Sequence, residues 1–379
     1  MRCLGVRSPS LDSFATCFEQ LDDPRAHNAR HPLLELLLIA FGAVLCGGED
    51  YSDMEEFGHA KQDYFRQFLR LPHGIPSHDT FSRLFRLLDP AQFHACFLTF
   101  MQRFAENLEG VVAIDGKTLR RSFDRASAQS PLHLVSAWAA DQRLVLGQVA
   151  VNDKSNEITA VPKLLELLSL KGTIVTADAM HCQRTVAAQV LAQGGDYVLA
   201  LKANQGTLHE DVRHLLEDSP SLVVARHTEV DKGHGRIETR TSVVSEEIGW
   251  LQQEHAWPGL AAIGKVMRTR EINAETSTET AYYLLSTPLS AERFGQVVRQ
   301  HWTIENSLHW VLDVTMQEDW ARQRKDHGPE NLALWRKLSL NVARLEPSKG
   351  SMKGKRKRAG WNNDYLTKLL MQFALLQMR

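Results

Sequence analysis

Between Leu11 and about residue 108, apolar positions recur at three- and four-residue steps. The spacing predicts helices over Leu11–Leu21, Leu33–Cys46, Asp53–Phe68, Thr80–Leu88 and Pro90–Asn107. The run Leu33–Cys46 is the most apolar of the chain, contains Glu35 and is too short to span a bilayer. With Pro32 at its first turn and Gly47-Gly48 after it, it reads as a buried helix. Ser77-His78-Asp79 offer cap candidates for the fourth helix. The stretch SHDTFSRLFRLLD fits either a small-bundle helix or the recognition half of a helix-turn-helix, with Arg83 and Arg86 reaching phosphate or solvent.

At Val111 the pattern changes to short apolar runs. Val111–Ile114 reads as a buried strand stopping at Asp115-Gly116. Leu132–Ala139 and Leu144–Val151 read as strands, Val161–Leu170 as a helix, and Thr173–Ala177 as a strand stopping at Asp178. Arg184–Gln193 reads as a helix and Tyr197–Leu201 as a strand ending at Lys202. This alternation predicts an α/β sheet with a parallel portion. A helix over Leu208–Glu217 follows, and then Arg236–Val244, Ala262–Arg270 and Ala281–Leu285 alternate like strands. The last part is helical again. One amphipathic helix without Pro or Gly is expected from Gln296 to Arg322, capped by Ser290, and others over Pro329–Ala343 and Asn363–Met378. Lys349–Arg358 carries six basic residues and no acid, which predicts a mobile basic loop.

The chemistry gathers at three acids. If the strands ending at Asp115 and Asp178 are parallel neighbours, both carboxylates emerge at the sheet edge where α/β folds build sites. On the long helix, Glu305 stands on the face of His301, Leu308 and Leu312, beside the stripe Trp302, Asn306, His309 and Asp313. A half-sunk carboxylate needs a partner. His301, Glu305 and His309 at i, i+4 and i+8 would also suit zinc, but the HExxH spacing is absent. Three carboxylates suit magnesium or manganese instead. Two such ions serve phosphodiester chemistry, with Lys117, Arg120, Arg121 and Lys202 near the phosphates. A solvated charged face is the plain alternative for those four cations.

Charge supports a polyanionic partner. The net charge is −1, yet Trp320–Arg358 holds twelve Lys+Arg against three acids, so the remainder is acidic. The five cysteines are scattered with no CxxC pair, and no apolar signal segment opens the chain; both suggest a cytoplasmic protein.

The blocks AIDGKTLRRS, KSNEITAVPKLL, VTADAMHCQRTVA, YVLALKANQ, GRIETR and RQHWTIENSLHWVLDVTMQED resemble the bacterial insertion-sequence DDE transposases of the ISAs type, the H-repeat-associated group, essentially end to end. The resemblance implies an RNase H-like mixed sheet flanked by helices, with a β-rich insertion and an all-helical N-terminal domain. The expected divisions are a helical, DNA-binding 1–108, a catalytic core over 109–205 and 288–345, a β-rich insertion over 206–287, and a basic linker with a final helix over 346–379. By motif, Asp115, Asp178 and Glu305 are the catalytic and metal-binding acids, with two Mg2+ or Mn2+ ions expected. Where related enzymes carry a Y-R-E-K pattern, this chain has Val298, His301 and Leu312. His301 is a candidate replacement for the Arg, with Arg299 beside it. Expected DNA contacts are Lys117, Arg120, Arg121, Lys202, Asn204, Gln205, Arg299, His301, Arg322, Lys355, Arg356, Lys357 and Arg358. The implied activity is cleavage at terminal inverted repeats and strand transfer into target duplex DNA, by a homodimer assembled on DNA and associated with the nucleoid, with no membrane. An inactive or domesticated DNA-binding derivative, and an RNase H-like nuclease with another substrate, remain as rivals.

Overall fold

A computed structural model describes residues 9–374 except 106–107, 124–129, 152–156, 220–221, 223, 234 and 274. Cys3, Lys154–Asn156 of the KSNEIT block and the end of the closing helix lie outside the described residues.

Six helices come first: α1 (Pro9–Cys17), α2 (Leu33–Cys46), α3 (Tyr51–Ala60), α4 (Gln62–Phe65), α5 (His78–Leu87) and α6 (Pro90–Ala105). As the apolar run predicts, α2 is buried along its length, and Gly47 ends it at φ 117°, a conformation that favours glycine. Gly48 N–H then donates to the Ala43 carbonyl at 2.7 Å. The buried Glu35 carboxylate accepts from the backbone N–H of Arg70 at 3.1 Å. The expected helix Asp53–Phe68 is broken at Lys61 into α3 and α4. In α5, Phe81, Leu84 and Phe85 are buried, and Arg86 is paired with Asp326 at 2.7 Å. Of its two candidate phosphate contacts, Arg83 is exposed and Arg86 is held in this ion pair.

The α/β part runs β1 (Gly110–Thr118), β2 (His133–Ala139), β3 (Leu144–Val151), α7 (Glu157–Glu166), β4 (Thr173–Ala177), α8 (Arg184–Ala192) and β5 (Asp196–Leu201). Strands β1 to β3 form an antiparallel meander, and β4 and β5 return parallel to β1. The resulting order, β3-β2-β1-β4-β5, is RNase H-like. Next come α9 (Thr207–Asp218), β6 (Ala225–Gly233), β7 (Arg236–Ser245), α10 (Gly249–His255), β8 (Ala262–Ile272) and β9 (Glu275–Leu285). These four strands join the same sheet, because β9 pairs antiparallel with β5. Sequence reasoning missed β6 and α10. The strand β6, ARHTEVDKG, is mostly exposed and carries too few apolar residues to show a period, being held by its backbone ladder to β7.

The chain closes with α11 (Ala291–His301), α12 (Gly328–Leu345), α13 (Met352–Trp361) and α14 (Asn363–Leu370). Almost every residue of α12 is buried, because it lies between the N-terminal helices and the sheet. Trp335 meets Phe41 and Phe93 at ring separations of 5.1 Å. Asn341 accepts from Val145 N–H at 2.9 Å and donates to its carbonyl at 2.8 Å, where β3 shifts register against β2.

The basic stretch Lys349–Arg358 is not a loop. Most of it belongs to α13, which Ser351 caps by accepting from Gly354 N–H. Lys355 and Arg356 point inward. Lys355 Nζ donates to the Ala343 carbonyl at 2.9 Å, and the Arg356 guanidinium donates to the Val44 carbonyl at 3.2 Å. Carbonyls in the last turns of α2 and α12 accept these cations, which overrides a reading based on charge alone.

Candidate metal centre

The parallel ladder between β1 and β4 ends at the pair Ile114 and Ala177, and the next residue on each strand is Asp115 and Asp178. The two aspartates therefore leave neighbouring strands at the same level. One expectation needs correction: β1 does not stop at Asp115 but runs to Thr118, because β2 keeps pairing with it down to His133. Asp115 is thus enclosed, with 16% of its side chain exposed, while Asp178 at its strand's end is 51% exposed.

Glu305 comes from the segment after β9. Ser290 caps α11 as expected, accepting from Arg293 N–H at 3.2 Å. The single α-helix expected as far as Arg322 does not form. After His301 the winding widens to π-helix over Ile304–His309 and Val311–Thr315, and Gln317 at φ 54° ends it. Side chains add bonds to carbonyls along this winding, although the Trp302 carbonyl also keeps its backbone bond from Asn306 N–H at 3.4 Å. Thr303 Oγ1 donates to the Gln300 carbonyl at 2.7 Å, and Asn306 Nδ2 to that of Trp302 at 3.2 Å. Arg344 donates to the Ser307 carbonyl from outside. Such π-helical turns recur at functional sites.

Wound this way, the segment sends two histidines to different acids. His309 is buried, and its Nδ1 lies 3.5 Å from both Asp115 Oδ2 and Glu305 Oε2. His301 Nε2 faces Asp178 at 3.5 Å, and its Nδ1 lies 3.0 Å from Thr176 Oγ1. The two histidines therefore do not share one ion with Glu305, as a zinc set would require. His309 is the residue that sequence reasoning left out of the site; its i+4 spacing from Glu305 was the available signal.

Donor atoms of Asp115, Glu305 and His309 lie within 4.8 Å of one another, and Asp178 stands outside this tight group. Two unit charges about 4 Å apart repel by about 4 kcal/mol at an effective dielectric near 20, roughly three pKa units. The carboxyl of Asp115 responds as that predicts. Burial, then the charges of Glu305 and Asp178, push it up to about 8. The other two go the opposite way. The hydrogen bond from His309 holds Glu305 below its ordinary range, and His301 does the same for Asp178. Acids this close without enough positive charge suit a divalent cation.

The candidate DNA contacts divide. Lys117 is enclosed, with Nζ 2.6 Å from Asp313, 2.8 Å from Glu318 and 3.5 Å from Asp319, so it is an internal ion-pair centre and not a phosphate contact. Asn204 Nδ2 and Gln205 Nε2 donate to the carbonyls of Ala179 and Cys182, at 2.8 and 2.6 Å, bracing the turn after Asp178. His301 serves Asp178, and Lys355 and Arg356 hold helix ends, as described. Arg299 is half exposed and paired with Asp231 at 3.1 Å and Glu229 at 3.6 Å. Arg121 lies over the Trp320 ring at 4.2 Å. Arg120, Lys202, Arg322, Lys357 and Arg358 are exposed. Lys202 lines a cleft of about 830 Å³ with Asp178, Tyr283, His301 and Trp302.

Comparison with known proteins gives the family. Residues 106–342 match the family described as Transposase DDE domain, and residues 15–101 match the one described as DDE_Tnp_1-associated. The chain is similar to the "H repeat-associated putative transposase YhhI" of Escherichia coli (strain K12), at 36% identity covering 90% of this chain and 92% of that one. It is equally similar to the "Putative transposase YncI" of Escherichia coli O157:H7, at 36% identity covering 98% and 97%. A solved piggyBac transposase synaptic complex with hairpin DNA aligns at 14% identity and a TM-score of 0.43, covering 100% of this chain and 84% of that one, too distant for residue correspondence. By residues 106–342 and by its N-terminal helices alike, this chain belongs to the DDE transposase family of bacterial insertion sequences, in the H-repeat-associated group.

Proposed function

We propose that this transposase cuts DNA at the terminal inverted repeats of its element and joins the freed 3′-hydroxyl to target DNA. The observation that carries the reading is the approach of Glu305 to Asp115 across His309, at the level where Asp178 leaves the next strand. Asp115, Asp178 and Glu305 would hold Mg2+ or Mn2+, two ions in this reading. When bound, such ions make a water acidic enough to attack phosphorus and neutralise the departing oxygen.

The chain's own residues prepare that site. Asp115, held protonated by burial and its acidic neighbours, would release that proton to serve as a ligand, while His309 and His301 keep Glu305 and Asp178 ionised and oriented. Arg120, Lys202, Arg322, Lys357 and Arg358 are exposed cations for backbone phosphates, and Arg299 and Arg121 adjoin them. The N-terminal helices contribute DNA binding, and pairing two element ends calls for a homodimer on DNA, near the nucleoid. The test is Mg2+-dependent nicking of a terminal-repeat duplex by wild type and by Glu305→Gln. Wild type should nick and the variant should not. Equal nicking by both would remove Glu305 from the chemistry, cleavage indifferent to the repeats would favour a nuclease of another kind, and DNA binding without cleavage in Mn2+ an inactive derivative.

A further inference from the structure

Behind the metal centre lies a second ionisable group that the proposed chemistry does not use. Glu157 opens α7, and its side chain is about 3% exposed. One carboxylate oxygen contacts His133 Nε2, and the other lies 3.2 Å from His181 Nε2. Both imidazoles are buried as well, at 3% and 1% exposure. Burial alone would raise the carboxyl, but the two histidines outweigh it and hold Glu157 at about 2. A buried carboxylate kept ionised by two imidazoles is expensive to build, and its place in the fold suggests what it does.

The two histidines adjoin the two elements that bear the aspartates, one from β2 beside β1 and one from the turn after β4. His133 sits on β2 opposite Thr118, and its Nδ1 is 2.8 Å from the Thr118 hydroxyl, three residues beyond Asp115 on β1. His181 closes the short turn Ala179–His181 that directly follows Asp178. The β1–β4 ladder ends at Ile114 and Ala177, so no backbone rung joins the two strands at the level of the aspartates. Glu157 supplies a link just past that point, from a third element. Gly116 leaves the room for it: a Cβ there would fall 2.5 Å from His133 Nε2 and 2.8 Å from Glu157 Oε1.

We propose that Glu157, gripping His133 and His181, is a positioning residue that fixes the separation of Asp115 and Asp178 beyond the last rung between their strands. It touches neither substrate nor the metal donors; it acts through the two aspartates. The inference rests on the reading of those aspartates as metal ligands.

The test is Mn2+ binding to the full-length protein without DNA, followed by the loss of free-ion EPR signal, alongside thermal melting and DNA nicking. Glu157→Gln keeps the shape but cannot accept from both histidines at once, and His181→Gln breaks the link from the Asp178 side. Each should bind Mn2+ about tenfold more weakly, the scale seen when groups supporting metal ligands are lost. DNA affinity should be unchanged, and Glu157→Asp should recover part of the loss. A purely structural role would lower the melting temperature and leave Mn2+ affinity alone. Folded Glu157→Gln and His181→Gln proteins that bind Mn2+ like wild type overturn the clamp. Wild type that binds Mn2+ through Asp115, as shown by Asp115→Asn, yet nicks nothing, overturns the proposed function and leaves the clamp standing. Wild type that binds no Mn2+ overturns both.

Discussion

Lys117 Nζ lies 2.6 Å from Asp313 Oδ1, and this contact ties β1, two residues past Asp115, to the π-helical stretch that follows the one carrying Glu305. The same ammonium bonds Glu318 at 2.8 Å. Burial would lower its pKa, but Glu318 and Asp313 raise it above the usual range. Removing one partner of a buried ion cluster leaves uncompensated charge. Lys117→Met should therefore destabilise the protein by about 3–5 kcal/mol, read by urea unfolding. Lys117→Arg should be milder because the charge remains. A loss near zero for Lys117→Met would mean that the three acids find other partners or protons.

Gly116 follows Asp115 in the DGK motif, and its need for glycine is local and steric. The atoms a Cβ would strike belong to His133 and Glu157, which are buried and linked to each other and so have little freedom to withdraw. Gly116→Ala should cost about 1–3 kcal/mol, the usual penalty for overpacking. It should also weaken Mn2+ binding, since it pushes on the same pair that spaces the aspartates. Thermal melting and EPR titration of one preparation check both. A variant as stable as wild type would show that the pair shifts freely.

The metal-free protein should lose stability as pH rises. Asp115 has its folded pKa raised from 3.8 to about 8, so between those values the native state holds a proton that the unfolded chain has released. By linkage, this contribution is full below about pH 4 and is lost as pH climbs through about 8. Glu305 and Asp178 are shifted downward, and their contributions disappear only as pH falls into the ordinary carboxylate range or lower. Melting temperature without metal should therefore decline from about pH 5.5 to 8.5. Asp115→Asn should flatten the decline. Added Mg2+ should stabilise more at the alkaline end, because the ion must displace the proton. A rising metal-free profile would contradict the shift.

Two adjacent segments of the basic stretch should behave oppositely. Lys355 is buried against the Ala343 carbonyl, whereas Lys357 is exposed beside the Trp361 ring at 5.9 Å. Lys355→Ala should lower stability by about 1–3 kcal/mol, through the unsatisfied carbonyls it leaves. Lys357→Ala should leave melting unchanged, weaken DNA binding across sequences and reduce the salt slope by about one. If Lys357→Ala leaves both affinity and slope intact, this face is not part of the DNA interface.

The sequence by itself determined the frame. Apolar periodicity placed α2, β3 and β4 at their observed limits, because each is buried and its pattern is imposed by the core. Asp115 and Asp178 were legible because a buried strand that meets an acid advertises the change. Glu305 was legible because its motif is long. The pairing of β1 with β4, and so the shared level of the two aspartates, was an expectation that needed the ladder to establish it.

Only the tertiary structure decided which charges face solvent and which face inward. Local sequence records that Lys117, Lys355 and Arg356 are cations, but their partners lie on other elements: Asp313 and Glu318 for the first, Ala343 of α12 for the second and Val44 of α2 for the third. The π-helical winding was hidden for the same reason, since Arg344 from α12 takes up the Ser307 carbonyl. So was the link from Glu157 to His133 and His181, three elements with no common period. Periodicity reports burial, a property each element imposes on its own residues. Pairing of charges depends on which surfaces meet, and the core settles that only when the whole chain is packed.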